Sequence, residues 1–251
     1  MIIYEYPFNE RVRAYLRLEY LLRRLDVLLQ RDTDIDHHFA ITTLFEVMDV
    51  ASRSDLKTDL LKDLERQRQQ FNAYRDNPMI AVDMLDKVIG QIDTAHAQLR
   101  AQNGKPSQLL IENEWLMAIR NRTGIPGGTC TFDLPSYHAW LHADSSSRRA
   151  DLQGWTASFA PLASALILLL RLFRDAGAPQ RIATVRGQFQ QNLPQGRTYQ
   201  LLRLRIDPAL DLVPEISGNR LMVSVRLMRQ GEDGRLHSSN EACGFELALC
   251  A

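Results

Sequence analysis

Residues 160–206 read APLASALILLLRLFRDAGAPQRIATVRGQFQQNLPQGRTYQLLRLRI, and the spacing of the apolar residues changes within this stretch. As far as Asp175 the apolar residues are dense, which predicts a buried helix that stops at Gly177 and Pro179. From Gln180 onward apolar and polar residues alternate, and a period of two is typical of a strand with one buried face. The stretch therefore predicts a change from helical to β structure.

The chain before this change is predicted to be mainly helical. The clearest predicted helix carries a stripe of residues that stay on one face: Leu56, Leu60, Leu64, Gln67, Phe71 and Tyr74. Ser54 is its expected N-cap, and Asn77 with Pro78 is its expected stop. Similar patterns predict helices after Asn9 and over Phe39–Val50, Val82–Leu99, Trp115–Ile119, Tyr137–His142 and Asp151–Asp175. Each buried Leu or Ile contributes about 1.5–3 kcal/mol, so several facing stripes can offset the ordering entropy of a bundle.

The chain after the change is predicted to form an antiparallel sheet with one buried face. The segments Leu202–Ile206, Val223–Met228 and Phe245–Leu249 alternate between apolar and polar residues. Asp233-Gly234 is a hairpin-type turn between two of them. We also assign the segments Ile2–Tyr6 and Thr129–Asp133 to this sheet as short strands.

These patterns predict an α+β fold with two domains. The first is a mainly helical bundle domain formed by residues 8–127 and 134–178. The second is a small antiparallel β-domain assembled from the discontinuous segments 1–7, 128–133 and 179–251.

Charge and composition favour protein contacts over nucleic-acid binding. Thirty basic and 30 acidic residues give a formal net charge of zero, whereas nucleic-acid binding relies on an excess of positive charge. Of the basic residues, 26 are Arg and four are Lys. The planar guanidinium group suits carboxylates, although a high genomic GC content also explains this bias and is the larger part of the explanation. We therefore expect no nucleic-acid partner.

The sequence predicts a cytoplasmic protein that does not insert into a membrane. The amino terminus lacks the basic region and apolar stretch of a signal peptide. The most apolar stretch, Ala160–Leu170, is shorter than the roughly 18–20 residues that a membrane span needs. Cys130, Cys243 and Cys250 do not form a dense, even framework, so we expect free thiols in a reducing compartment.

No nucleotide-binding or calcium-binding motif is complete. Gly124–Gly128 lacks the Lys that follows a phosphate-binding loop, so a turn is expected there. Asp32, Asp34 and Asp36 alternate like the start of a calcium loop, but the Gly and Glu that such a loop requires are absent. Asp36 is instead expected to cap a helix. We predict no cofactor.

Cys130, His138 and His142 are the strongest candidates for metal binding or catalysis. Histidines four residues apart share a helical face, and a nearby thiolate could complete three zinc ligands. A Cys–His nucleophile pair is the covalent version of the same idea. No fourth ligand has motif-like spacing, and no catalytic signature accompanies the pair. A buried cysteine with partly exposed histidines is the simpler interpretation, and a metal- or Cys-dependent enzyme remains the alternative function.

Positive charge collects in the predicted sheet. Between positions 181 and 229 the sequence contains eight Arg but only three acidic residues. The arginines are Arg181, Arg186, Arg197, Arg203, Arg205, Arg220, Arg226 and Arg229, and the acidic residues are Asp207, Asp211 and Glu215. Arg203 and Arg205 share one face of a strand, and Arg220 and Arg226 also have the same parity. One interpretation is a charged solvent face, which discourages aggregation. The other is a basic groove for an acidic peptide, which would need apolar anchors or multivalency because exposed ion pairs give only ~0–1 kcal/mol each. Periodicity alone slightly favours the solvent face.

An ordered set of segments resembles the ZapD family of bacterial cell-division proteins. The opening segments are Tyr4-Glu-Tyr-Pro-Phe-Asn-Glu10, Arg13, Leu16-Arg-Leu-Glu19 and Leu21. The most specific segments are Ile125-Pro-Gly-Gly and Phe132-Asp-Leu-Pro135, followed by His138 and Trp140-Leu-His142. The set continues with Trp155, Pro161-Leu162, Pro214-Glu-Ile-Ser-Gly218, Phe245-Glu-Leu-Ala248 and Cys250. Each segment alone is weak, but together they span nearly the whole chain.

The resemblance implies a cytoplasmic, non-enzymatic homodimer that acts at the mid-cell division site. Members of the family bind the conserved carboxy-terminal tail of the tubulin-like GTPase FtsZ, cross-link its protofilaments and promote Z-ring assembly. Two tail sites in a dimer would make bundling a matter of bivalency. The family fold, a helical domain with a β-domain, agrees with the change of period.

The resemblance also implies which residues hold the acidic and apolar tail. The family's grip is attributed to basic side chains near the domain junction. Carried over by motif, the candidates are Arg17, Arg120 or Arg122, His142 and Arg226. Leu221 and Met222 stand where the family pattern can have another basic residue, and Arg220 could substitute for it.

Overall fold

The computed structural model describes residues 1–53 and 55–251 and confirms the α+β prediction. The chain divides into two compact units. The helical unit is Ala14–Leu169, and the β-unit combines Met1–Arg13 with Leu170–Ala251. The expected N-cap Ser54 lies outside the described residues.

Nine α-helices occur in the described residues. They are α1 (Glu10–Leu29), α2 (Asp34–Ala51), α3 (Leu56–Asn72), α4 (Val82–Ala101), α5 (Gln108–Ile111), α6 (Glu114–Thr123), α7 (Pro135–Leu141), α8 (Ser145–Thr156) and α9 (Ala160–Asp175). A short 3-10 turn, Ala157–Phe159, joins α8 to α9. The divisions between the two units fall inside α1 and α9.

Helices α1 and α2 begin where a side chain satisfies a free amide group of the first turn. Asn9 accepts a hydrogen bond from the Val12 amide at 2.9 Å at the start of α1, which confirms the predicted cap. At the start of α2 the cap is Thr33, whose hydroxyl accepts from the Asp36 amide at 3.1 Å. The expectation that Asp36 caps this helix is therefore wrong, because Asp36 already lies in the first turn.

The stripe predicted for α3 is buried over most of its length. Leu60 and Leu64 are fully buried and Gln67 is nearly so, whereas Tyr74 is 40% exposed. Helix α3 ends at Asn72, before the predicted stop at Asn77 and Pro78. Helix α4 lies against α3 and buries a matching stripe: Leu85, Ile89, Ile92, Ala95 and Leu99.

The β-unit contains two antiparallel sheets. The strands are β1 (Ile2–Pro7), β2 (Gln180–Ala183), β3 (Gln188–Asn192), β4 (Leu201–Ile206), β5 (Val213–Gly218), β6 (Met222–Gln230), β7 (Leu236–Ser238) and β8 (Gly244–Cys250). One sheet has the order β1-β4-β8-β2. The other has the order β3-β6-β5, and β7 pairs with the end of β6.

The buried faces of the two sheets share one hydrophobic core. It contains the alternating residues that the sequence indicated: Leu202, Leu204, Ile206, Val223, Val225, Leu227, Phe245 and Leu247, with Leu193 and Leu212. The predicted turn Asp233-Gly234 joins β6 to β7, and Gly234 has a φ of +75°, which favours glycine. The antiparallel arrangement and the alternation are thus confirmed, but the strands form two sheets and not the single sheet that was predicted.

The strand predicted for Thr129–Asp133 is not present. This segment belongs to the helical unit and forms consecutive turns. The amides of Gly128, Cys130 and Leu134 donate to carbonyl groups three or four residues earlier, at 2.9, 3.2 and 3.0 Å. Because these amides bond locally, they are not free to pair with a neighbouring strand.

Helices α8 and α9, with the turn between them, form a continuous helical stretch of 31 residues, Ser145–Asp175. Within the described part of the chain, this stretch alone is long and apolar enough to cross a membrane by length and composition. Leu162, Leu166 and Leu169 on α9 are buried inside the protein. A core helix passes the same test of length and composition, and this buried face agrees with the predicted core helix.

Candidate functional site

The predicted tail-binding residues are divided between the two units. Arg17, Arg120, Arg122 and His142 lie in the helical unit, and we call the three arginines the helical cations. Arg220 and Arg226 lie in the β-unit, and we call them the β cations. Each group is described within its own unit.

Arg17 is an exposed side chain on α1, next to the buried Leu18. It takes part in no ion pair or hydrogen bond within residues 1–53 and 55–251. Glu19, two positions further along α1, pairs with Arg23 at 2.9 Å. The Arg17 guanidinium is therefore available to an external anion.

Arg120 and Arg122 lie in the last turn of α6 and contact different carboxylates. Arg120 forms an ion pair with Asp49 near the end of α2. Arg122 pairs with Asp133 at 3.3 Å, and the Cys130 thiol donates to the other oxygen of that carboxylate at 3.3 Å. Positive side chains in a last turn also interact favourably with the helix dipole. Both arginines are therefore held by acidic groups of the same unit.

His142 caps the carboxyl end of α7 and is exposed. Its Nδ1 lies 2.9 Å from the carbonyl oxygen of His138. A carbonyl oxygen only accepts, so Nδ1 carries the proton and Nε2 is left to face a partner. The two imidazole rings are close, with centroids 4.3 Å apart.

Arg148 holds the backbone on both sides of His142. Its Nη1 donates to the carbonyl of Leu141 at 2.8 Å and to that of Ala143. Its Nε donates to Nδ1 of His37 at 2.8 Å, and its Nη2 donates to the carbonyl of Asp32 at 2.7 Å. Arg148 is 6% exposed and is thus a buried positioning residue for His142. Its role could not be read from the sequence.

His37 is neutral in this arrangement. Its Nε2 donates to the carbonyl of Arg31 at 2.9 Å, while Nδ1 accepts from Arg148. Burial lowers the pKa of His37 below its ordinary value of 6.5, and the positive charge of Arg148 acts in the same direction, against the hydrogen bond to Arg31. A proton on Nδ1 would both add a charge beside Arg148 and remove the acceptor that Arg148 uses.

An aromatic cluster next to this network contains every tryptophan of the chain. Trp115, Trp140 and Trp155 have ring centroids 5.5–5.8 Å apart, and all three are half-buried. Tyr137 stacks on Trp140, whose indole nitrogen donates to Asp151 at 2.8 Å. The cluster joins α6, which carries Arg120 and Arg122, to α8 and to α7, whose carboxyl end is capped by His142. The sequence shows these rings only at unrelated spacings, so their proximity could not be read from it.

The β cations lie on a hairpin of the second sheet. Arg226 is on the exposed face of β6, and Glu215 is its register partner on β5, with 3.6 Å between Nη1 and the carboxylate. Arg220 lies in the bend between β5 and β6 and is exposed. It has no ion pair with any residue that the structure describes. Arg220 and Arg226 are thus brought to one hairpin, but only Arg226 is on a strand.

Arg203 and Arg205 share a face of β4, as expected, but contact acidic residues of the same sheet. Arg203 donates to Glu5 at 3.1 Å, and Glu5 also accepts two bonds of 2.8 Å from Arg174. Arg205 lies 3.7 Å from Glu246. These two arginines fit the interpretation of a charge-balanced sheet face better than that of a binding groove.

The candidate metal or catalytic residues are not assembled into a three-ligand site. Cys130 directs its thiol hydrogen to Asp133, and His142 uses Nδ1 on a carbonyl. In the described ranges no group of three His, Cys, Asp or Glu side chains is placed to hold a metal ion.

The whole chain is similar to known cell division proteins. The family model of ZapD, described as a cell division protein, matches residues 16–226. Cell division protein ZapD of Ralstonia pickettii (strain 12J) is 50% identical over 251 residues, which cover 100% of this chain and 99% of that protein. The protein of the same name from Ralstonia nicotianae is 49% identical with the same coverage. The one from Janthinobacterium sp. (strain Marseille) is 46% identical, with full coverage of both chains.

These relatives are named as cell division proteins and not as enzymes, which supports a role for this chain in cell division. The matched segment contains every predicted tail-binding residue, from Arg17 to Arg226. The chain belongs to the ZapD family of cell division proteins.

Proposed function

We propose that this chain binds the carboxy-terminal tail of FtsZ and, as a homodimer, cross-links FtsZ protofilaments to promote Z-ring assembly. In this proposal the protein acts by binding alone, at the mid-cell division site in the cytoplasm. The helical cations, with His142, and the β cations are the proposed contacts for acidic residues of the tail, each group within its own unit.

The observation that carries the proposal is the availability of two cations, Arg17 at a family motif position and Arg220 beside one. Arg17 and Arg220 are exposed and hold no carboxylate of the described chain. A guanidinium group without an ion-pair partner can donate hydrogen bonds to a peptide carboxylate, and no existing ion pair is lost. This supports an acidic peptide as the ligand in a chain that matches the family over its full length.

Bivalency explains how weak single contacts could be sufficient. Exposed ion pairs contribute about 0–1 kcal/mol each, so one tail would be held weakly. A dimer offers two equivalent tail sites, and a filament offers many tails. The second binding event is then intramolecular, which raises the overall affinity without any new contact.

Co-sedimentation with FtsZ tests the proposal. We expect this protein to increase the amount of polymerised FtsZ in the pellet, and we expect no increase with FtsZ that lacks its tail. We also expect high salt to abolish bundling, because salt screens the attraction between exposed charges.

The double variant R17E/R220E tests the site itself. Neither side chain holds an internal partner, so the fold should persist while bundling falls to the level of tail-deleted FtsZ. R100E is the matched control, because Arg100 is an equally exposed arginine at the end of α4 and outside the proposed site. Full bundling by R17E/R220E would reject the site, and bundling of tail-deleted FtsZ would reject the mode of binding.

A further inference from the structure

Three of the predicted tail-binding arginines already contact a carboxylate of their own unit. Arg120 pairs with Asp49, Arg122 with Asp133, and Arg226 with Glu215. Two of these pairs are in the helical unit and the third is in the β-unit. Asp49 lies 71 positions from Arg120, whereas Asp133 and Glu215 each lie 11 positions from their arginines.

An internal carboxylate and a peptide carboxylate make the same demand on a guanidinium group. Each needs N–H donors on the fork, and each gains from the same positive charge. A carboxylate that stays within 4 Å of the arginine cancels much of that charge as seen by an approaching anion. The acidic ligand must therefore displace the internal carboxylate or bind beside it with weaker attraction.

We propose that Asp49, Asp133 and Glu215 act as internal competitors, each of which reduces the affinity of its own arginine for an acidic peptide. This inference rests on the proposed function and describes how its site is regulated. The competitors keep each single contact weak and reversible, so that stable attachment requires several tails. They also disfavour isolated acidic peptides, which cannot supply a second attachment point.

Glu215 offers the cleanest test of this competition. Its pair with Arg226 has one contact of 3.6 Å, and the two side chains are 62% and 53% exposed. Asp133 is only 25% exposed and also accepts the Cys130 thiol hydrogen, while Asp49 links α2 to α6. Substitution of Asp133 or Asp49 would therefore disturb a loop or a helix contact as well.

The experiment measures binding of a labelled synthetic FtsZ tail peptide to E215Q by fluorescence anisotropy. We expect the Kd to fall by about two- to five-fold relative to the wild type, the range that an exposed ion pair can supply. E241Q is the matched control: Glu241 is an exposed Glu of the same unit that pairs with Arg229 at 2.6 Å, outside the proposed site. It changes the net charge equally and should leave the Kd unchanged.

The variants R226Q and E215Q/R226Q show whether the effect passes through Arg226. If Glu215 competes for Arg226, the gain seen in E215Q should disappear in the R226Q background. An unchanged or higher Kd in E215Q, or an equal gain in E241Q, would overturn the inference while the proposed function stands. Failure of the wild-type protein to bind the peptide would contradict the proposed function, and with it the inference that depends on it.

Discussion

Arg148 is a buried cation whose four acceptors are an imidazole and three backbone carbonyls. Two of the carbonyls close the end of α7, where the last carbonyl groups of a helix have no partner within it. The other two acceptors, on Asp32 and His37, belong to the start of α2. A single side chain thus fixes the position of His142 relative to a second helix.

The neutral state of His37 predicts that stability depends on pH. The pKa of His37 is below 6.5 in the folded protein, so the unfolded chain binds the proton first as the pH falls. The contribution of His37 is therefore fully present above about pH 6.5 and is lost as the pH decreases from there to the folded pKa. Denaturant titrations of the full chain between pH 5 and pH 8 measure this loss.

H37Q is the comparison variant, since a Gln side chain can still accept and donate but does not titrate here. Burial also lowers the pKa of His38, and that part of the slope should remain in H37Q. We expect a smaller fall in the free energy of unfolding of H37Q below pH 6.5 than in the wild type. Parallel curves would show that His37 is not protonated differently in the two states.

Single residues differ in how far the sequence reveals their role. Motif positions indicated Arg17 and Arg226 as candidates, and both are exposed. The same sequence indicated nothing about Arg148, because it stands in a run of serines and arginines that reads as a solvated helix start. Its burial depends on residues more than 100 positions away, such as His37.

At the scale of elements, the period of the apolar residues was a good guide where one face is buried. Helix α3 and strands β4, β6 and β8 follow their predicted patterns, because each has a core side and a solvent side. The strand prediction for the segment 129–133 was wrong. Residues such as Thr and Phe favour strands, but a strand forms only when the backbone amides are free to pair. The preceding Gly127 has a φ of +69° and sets a turn that uses those amides.

Gly128 predicts how sensitive this turn segment is to substitution. A Cβ at position 128 would lie 2.5 Å from the carbonyl oxygen of Arg122, so the backbone would have to move. We expect G128A to lower the free energy of unfolding by about 1–3 kcal/mol, as measured by denaturant titration. G124A is the control, because no atom lies within 4 Å of the corresponding Cβ. Equal stability of the two variants would contradict the close packing of this turn.

At the scale of the whole molecule, family resemblance and change of period together predicted the fold class, and both come from extended parts of the sequence. The pairing of arginines with acidic groups could not be predicted in the same way. Arg120 meets Asp49 across 71 positions, and only the packing of α6 near α2 brings them together. Candidate residues could therefore be named from the sequence, but their contacts could not.

The proposed cross-linking predicts a dimer in solution. The chain has a mass of 28.7 kDa, so light scattering coupled to size exclusion should give about twice that value at working concentrations. A variant that remains monomeric should still bind the tail peptide but should not bundle filaments, since one site cannot bridge two of them. Bundling by a protein of monomeric mass would contradict the bivalent mechanism.

The confinement of all three tryptophans to Ala14–Leu169 gives the molecule a built-in optical label. Light at the long-wavelength edge of the protein absorption band excites indole selectively, so the emission reports on the helical unit and not on the β-unit, which contains no tryptophan. Rings this close exchange excitation, and separating them on unfolding should alter both the intensity and the polarisation of the emission. Comparing that signal with circular dichroism from the strands would reveal whether the helical unit and the β-unit unfold together or one after the other.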